Sequence, residues 1–226
     1  MVRAEVNALA FDTSTSACVV ALRRSDGELF EHRPAARRLL QQPAQTTELL
    51  PAIGELTTRA GVELGTVGRL IVGIGPGAFT GLRIGIATAR AIATANGCGL
   101  IGVSSLAALA GAADLTPLID ARRQEFFLRI DGLDQLAGPE EAVVRVAEAA
   151  APAIGDGAIA LRGQLEQAGV SVPADDDQAH VISAARLLEL AEGVSPQAPG
   201  EVLPNYIRAP DAKVSSRESW MVGGRS

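Results

Sequence analysis

The sequence is poor in the residues that most often carry chemistry. Cysteine and histidine each occur only twice in 226 residues. Cys18 inside an apolar run and Cys98 between glycines make no disulfide framework, which excludes a cysteine-stapled secreted scaffold. His32 and His180 lie far apart in unlike segments, so no histidine pair has the helical spacing of a zinc or iron site, and no metal is expected. No Asp or Glu occurs from Leu64 through Ala113. That stretch has no ordinary proton carrier for general acid or base work. There is no Gly-x-Ser-x-Gly elbow and no His-Glu-x-x-His, the signatures of common hydrolases. Arg83 and Arg90 interrupt the most apolar stretch, so no transmembrane span is expected. With no charged-then-apolar leader at Met1, the expected location is the cytoplasm.

What is present is an apolar, mildly acidic chain. Hydrophobic residues make up 47%, enough for one large or two small cores, and the formal net charge is -6. An acidic surface disfavours gripping nucleic acid alone, so RNA is expected to require a basic partner.

The chain is organised around Leu70 to Asn96. A β-branched run from Leu70 to Ile74 meets Gly75, Pro76 and Gly77, and after Thr80 the apolar residues recur at helical spacing. This predicts a strand, a tight glycine loop, and a helix from Gly81 to Ala95 with Thr80 as N-cap and Asn96-Gly97 as stop. Gly75 and Gly77 place backbone amides before a helix N-terminus, where an anion is favoured. The loop is not a P-loop, because no Lys follows its last glycine. Gly73, Gly75 and Ala78 formally fit G-x-G-x-x-A, but Pro76 interrupts and the acidic ribose ligand is missing. Along the helix, Gly81, Gly85, Ala89 and Ala93 line one face with nothing larger than a methyl. That face admits either a neighbouring helix of the same chain or a second subunit.

In chain order, Val6 to Phe11 ends at Asp12 and Cys18 to Leu22 follows through a hydroxyl-rich tip. Asp26-Gly27 then turns into a strand from Glu28 to Arg33. Asp12, Thr13 and Ser14 are placed to offer a carboxylate, hydroxyls and amides to an anion or its cation, although a capped turn uses the same residues. Arg33, Arg37 and Arg38 form a solvated basic loop. A helix follows from Glu48 to Ala60 with Leu49, Ile53 and Leu56 on one face and Pro51 in its first turn. Leu100 to Val103 is the next strand, before a short helix capped by Ser104 or Ser105. A fresh strand at Leu115 to Ile119 ends in Asp120, as the first ended in Asp12, and Gln124 to Ile130 alternates after it. Helical windows at Glu140 to Ala151, Gly163 to Ala168 and Ser183 to Glu192 complete the second unit, with a strand at Ala158 to Leu161. Asp175-Asp176-Asp177 reads as a solvated loop. The expected organisation is a domain at 1–111, a smaller domain at 112–210 and a polar tail at 211–226.

Two βββαβα-type units, each opening on an Asp-terminated strand, resemble the actin, Hsp70 and sugar-kinase (ASKHA) architecture, an α/β fold of tandem RNase H-like units. LAFDTSTSACVVAL, QTTELLPAI, GPGAFTGLRIG, GVSSLAALA, DARRQEFF and PNYIRAPDAK together resemble the TsaB (YeaZ) family of bacterial tRNA threonylcarbamoyladenosine biosynthesis proteins. The resemblance covers Leu9 to Lys213. It implies a non-catalytic scaffold that pairs through first-domain helices with a TsaD-like transferase, joined by a TsaE-like ATPase. The complex moves a threonylcarbamoyl group from threonylcarbamoyl-AMP to the adenosine beside the anticodon, so tRNA is met only through the complex. Where that family often carries a His before its Glu-Leu-Leu-Pro run, Thr46 or Thr47 stands here, which further disfavours a metal.

The expected partner interface is Leu49, Ile53, Leu56, Leu82, Gly85, Ile86, Ala89 and Ala93, which also serves a homodimer when the partner is absent. The expected nucleotide or anion residues are Asp12, Thr13, Ser14, Gly75, Gly77 and Thr80, binding ATP or ADP weakly or only in the complex. No residue is expected to be catalytic. The alternatives are an independent small-molecule kinase of the same architecture, disfavoured by the acid-free stretch, and a glycoprotease-type peptidase, disfavoured by the missing motifs.

Overall fold

The computed structural model describes residues 6–43, 45–111 and 114–207. The first half builds a five-stranded sheet from β1 (Asn7–Asp12), β2 (Val19–Arg23), β3 (Leu29–His32), β4 (Val67–Gly73) and β5 (Leu100–Val103). Its order is β3-β2-β1-β4-β5: β1 to β3 form an antiparallel meander, while β4 and β5 join parallel through helices α1 (Gln45–Ala60) and α2 (Phe79–Asn96).

The sheet's residues divide between its faces with period two, as a pleat dictates. Leu9, Phe11, Val20, Leu22, Leu70 and Val72 join one core with Leu49, Ile53 and Leu56 of α1 and Ile86, Ala89 and Ala93 of α2. Ala8, Ala10, Val19, Ala21, Ile71 and Ile101 join the other core, with α3 (Ser105–Ala110) and α7 (Ala184–Leu190). Both faces are covered, so β1 and β4 read as continuous apolar runs rather than alternating ones.

The second half forms a four-stranded sheet from β6 (Thr116–Asp120), β7 (Phe126–Ile130), β8 (Leu133–Ala137) and β9 (Ala153–Ile154). Its order, β8-β7-β6-β9, repeats the first four positions of the first sheet, with β9 again parallel to the opening strand. Helices α4 (Pro139–Ala149) and α6 (Arg162–Gln167) cover it through Ala142, Val146 and Leu165, and α5 (Asp156–Ala160) packs on β6.

Several sequence expectations are corrected. Helix α1 begins at Gln45, so Pro51 is its seventh residue, past the first turn, with its ring on the solvent side. Helix α2 begins at Phe79 after Ala78, which makes no side-chain cap; Thr80 is an exposed first-turn residue and not the N-cap. Ala158 to Leu161 is not a strand. A short Ala-Ile-Ala-Leu run fits strand and helix equally. The strand lies earlier, at Ala153–Ile154, and Gly155 turns the chain at a φ of +99° so closely that a Cβ there would come 2.0 Å from the Leu118 carbonyl oxygen.

The basic loop is not freely solvated. Arg33 donates to the Gln178 and Val181 carbonyls, and Arg38 pairs with Glu48 at 3.0 Å. The expected division at 111/112 is crossed, because α7 packs on β1, β2 and β4 of the first sheet. The tail at 211–226 lies outside the described residues.

Candidate functional site

Strand β1 delivers Asp12 to the centre of the molecule, where it is fully buried. Its Oδ1 accepts from the Ser14 amide at 2.7 Å and the Ser14 hydroxyl at 2.6 Å. Its Oδ2 accepts from the Ser105 hydroxyl at 2.5 Å, and Ser105 Oγ in turn accepts from the Gly75 amide at 3.0 Å. Burial pushes the Asp12 carboxyl above its usual range, against the hydrogen bonds from Ser105 and Ser14 that lower it. Gly73 is required beside it: a Cβ there would lie 1.7 Å from Oδ2.

The hydroxyl-rich tip and the glycine loop close onto each other. The Ala78 amide donates to the Ser14 carbonyl at 2.7 Å, and a Cβ on Gly77 would meet Ser14 at 2.5 Å. Thr13 Oγ1 donates to the Gly81 carbonyl at 2.8 Å, and Gln45 Nε2 donates to the Thr15 carbonyl at 2.5 Å. Of the donors that the sequence offers to an anion, the Thr13 hydroxyl is spent on Gly81, those of Ser14 on Asp12 and the Gly75 amide on Ser105.

In front of the loops lies a cavity of about 730 Å³. Ser14, Gly77 and Thr80 line it, whereas Asp12, Thr13 and Gly75 stand behind them. Its far wall holds Asp120, which the sequence marks as the end of the second unit's first strand, and Asp156, which it did not single out. Asp120 ends β6, with both oxygens engaged by Arg122, at 2.7 Å from the amide and 3.0 Å from the guanidinium. Arg122, Arg123 and Gln124 take consecutive φ values of 64°, 56° and 58°. Three non-glycine residues in the left-handed region are costly, and such strain collects where geometry is constrained. At the mouth, Phe79 stacks on Tyr206 with centroids 5.4 Å apart, and the Arg83 guanidinium lies 4.6 Å over the Phe79 ring.

Asp156 enters this wall from the N-terminus of α5, and its Oδ1 accepts from the Asp120 amide at 3.1 Å. Burial pushes its carboxyl up to about 6, aided by the nearby Asp120 charge. The folded state thus binds the proton more tightly than the unfolded chain. Asp156 contributes stability below about pH 4 that is lost as pH rises through about 6. Asp156→Asn, whose amide oxygen can still accept from Asp120, should therefore flatten the stability profile between pH 4 and 6.5. At pH 7 it should add about 1 to 2 kcal/mol, after allowance for partial exposure. Urea unfolding across that range checks this; equal midpoints for both proteins at pH 7 would contradict it.

The expected partner interface is overturned by burial. Leu49, Ile53, Leu56, Leu82, Ile86, Ala89 and Ala93 are all at most 4% exposed, and Gly85 is buried with them. The small-residue face of α2 is the seat of the chain's own hairpin: a Cβ on Gly81 would lie 2.0 Å from the Thr13 carbonyl oxygen, and one on Gly85 2.3 Å from Thr13 Oγ1. The outer side of α2 is a different stripe, Phe79, Arg83, Ala87, Ala91 and Ala95, exposed at intervals of four. On α1, Leu50 at 59% exposure, Pro51, Gly54 and Thr58 face outward.

Other chemistry finds little footing. Burial pushes the Cys18 thiol up to about 12, which leaves no thiolate for nucleophilic attack. His180 is buried with Nδ1 accepting from the Gly155 amide at 3.0 Å and Nε2 3.1 Å from the Pro173 carbonyl, so both ring nitrogens are engaged. Among the described residues, no three His, Cys, Asp or Glu side chains gather as metal ligands, and no helix is long and apolar enough to cross a membrane.

Comparison with known proteins places this geometry among relatives. The model of the family described as TsaD, tRNA N6-adenosine threonylcarbamoyltransferase, matches residues 41–174. The tRNA threonylcarbamoyladenosine biosynthesis protein TsaB of Escherichia coli is 37% identical over 126 residues, 53% of this chain and 52% of that protein. The match thus spans about half the length of that relative, as it does for TsaB of Haemophilus influenzae. An uncharacterized protein of Mycobacterium tuberculosis is 30% identical over 215 residues, 91% of this chain and 93% of its own. Among solved structures, YeaZ from Pseudomonas aeruginosa superposes with a TM-score of 0.66 at 31% identity, covering 88% of this chain and 99% of that one. A second Pseudomonas aeruginosa structure, described as similar to peptidase YEAZ, gives 0.71 at 29% identity over 90% and 100%.

Proposed function

Since the chain belongs to the TsaB (YeaZ) family, we propose that it is the non-catalytic scaffold of the complex that adds a threonylcarbamoyl group to the adenosine beside the anticodon of tRNA. The observation that carries this reading is the closed pair of loops. Asp12, with both oxygens engaged behind loops that bond to each other, is not free to move a proton or hold a metal nucleotide. The two sheets are read as two copies of one RNase H-like unit, in the ASKHA manner, the second showing four strands among the described residues.

The partner is a TsaD-like transferase, and the docking surface is the outer side of α1 and α2. A family model built for the transferase matches this chain, so the two subunits share a fold. Chains of one fold can meet through equivalent helices about a pseudo-twofold axis, and the same surface serves a homodimer when the transferase is absent. A TsaE-like ATPase joins this complex in the cytoplasm, and tRNA is met through it. ATP or ADP binds this chain weakly, or only once the complex has formed.

Omission and titration test this reading together. Adding the chain to the transferase, the ATPase, the threonylcarbamoyl-AMP donor and tRNA should raise modification until one chain per transferase is present, then no further. The isolated chain should turn over no ATP. Tight ATP binding with phosphate release by the chain alone would favour the kinase alternative instead.

A further inference from the structure

The C-terminal segment returns from α7 to the first sheet and lies along its open edge. Gln197 and Leu100 exchange backbone hydrogen bonds at 2.9 and 3.0 Å, which covers part of edge strand β5. Two glycines of that region make room for it: a Cβ on Gly99 would lie 2.4 Å from Pro196, and one on Gly102 3.0 Å from Val202. Val202 is buried, and its carbonyl accepts from Arg90 of α2 at 2.6 Å. The Asn205 amide then donates to the Ile74 carbonyl at 2.8 Å, which sets Tyr206 on Phe79 at the mouth of the cavity.

One carboxylate of the second sheet reaches this segment. Asp134, on β8 with its side chain 9% exposed, accepts from Asn205 Nδ2 at 3.2 Å and from Ser104 Oγ at 2.7 Å through Oδ2, while Oδ1 accepts from Arg129 at 2.5 Å. Ser104 also N-caps α3 by accepting from the Ala107 amide. A single partly buried acceptor therefore joins three parts of the chain: the second sheet, the α3 cap and the returning segment. Charge-assisted bonds to a carboxylate are the stronger kind, and removing the acceptor leaves its donors unsatisfied.

We propose that Asp134 is a positioning residue that latches the segment 202–207 as a strap across the cavity mouth, so that the second sheet sets whether Tyr206 stays seated on Phe79. Nothing in this depends on the family or on the partner. The strap has an anchored part, Gln197 to Val202 on β5 and α2, and a part fastened across to the second sheet, Asn205 and Tyr206. Release of the latch should free the second part and leave the first in place.

Hydrogen–deuterium exchange on the full chain tests this, with Asp134→Ala and Asn205→Ala singly and together. Each single variant should speed exchange of the amides at 205–207 at least tenfold, with 197–202, β1 and β4 unchanged, and the double variant should exceed neither single one. Asn205→Ala removes one side chain near the surface, so it decides the matter even if Asp134→Ala loosens the whole protein. Wild-type protection at 205–207 in folded Asn205→Ala would overturn the proposal. So would a double variant whose acceleration equals the product of the two.

Discussion

Ala89→Arg is expected to unfold the protein. Ala89 is fully buried in the core that Leu9, Phe11, Leu49 and Ile53 build between the first sheet and its two helices. A guanidinium there has no carboxylate within its own stretch, because none occurs from Leu64 through Ala113. The side chain also demands volume where only a methyl fits. Overpacking and an unpaired buried charge together should cost about 4 kcal/mol or more, a large share of a domain's total stability. Circular dichroism and urea unfolding read this directly. A variant that unfolds cooperatively at the wild-type midpoint would show that α2 does not pack this face on its own sheet.

Ala87→Arg, two positions away, should behave oppositely. Ala87 is exposed on the outer stripe, one turn beyond Arg83, so the folded chain should lose only a few tenths of a kcal/mol from like charges at i, i+4. If α1 and α2 dock the transferase by their outer side, a long charged chain in that contact should weaken association about 100-fold, close to 3 kcal/mol. Leu50→Asp on the neighbouring helix should do the same, because Leu50 is a large apolar side chain at 59% exposure on the outer side of α1. Calorimetry with the transferase separates the cases: wild-type affinity in both folded variants would move the docking surface elsewhere.

The contrast between Ala87 and Ala89 marks the limit of reading this chain from sequence. The i, i+4 pattern shows that Gly81, Gly85, Ala89 and Ala93 admit something close, but not what fills the space. The occupant is Thr13, 68 residues earlier than the Gly81 whose carbonyl it bonds. Local signals served well where the cause was local. Asp26-Gly27 turned the first meander, and Asn96-Gly97 ended α2 with Gly97 in the left-handed region. They failed where the cause was distant. Helix α7 returns to the first sheet across a boundary that composition does not mark, and β8 lacks β-branched residues, although the Asp131-Gly132 turn before it, at φ values of 51° and 77°, was a usable sign. Gly155-Asp156-Gly157 after β9 is the second half's own glycine turn. Reading Ala158 to Leu161 as a strand hid it, and with it the carboxyl that titrates near 6.

The central claim, that this chain supports modification by position and supplies no catalytic group, is tested most directly by the rate of tRNA threonylcarbamoylation at saturating chain. The comparison is between wild type and the double variant Asp120→Asn, Asp156→Asn, which removes the charge of both carboxylates lining the cavity. Equal rates at saturation are predicted, with any change confined to the concentration of chain needed to reach them. A fall of about 100-fold at saturation, close to 3 kcal/mol in the barrier, with association intact, would make the cavity part of the chemistry and contradict the account.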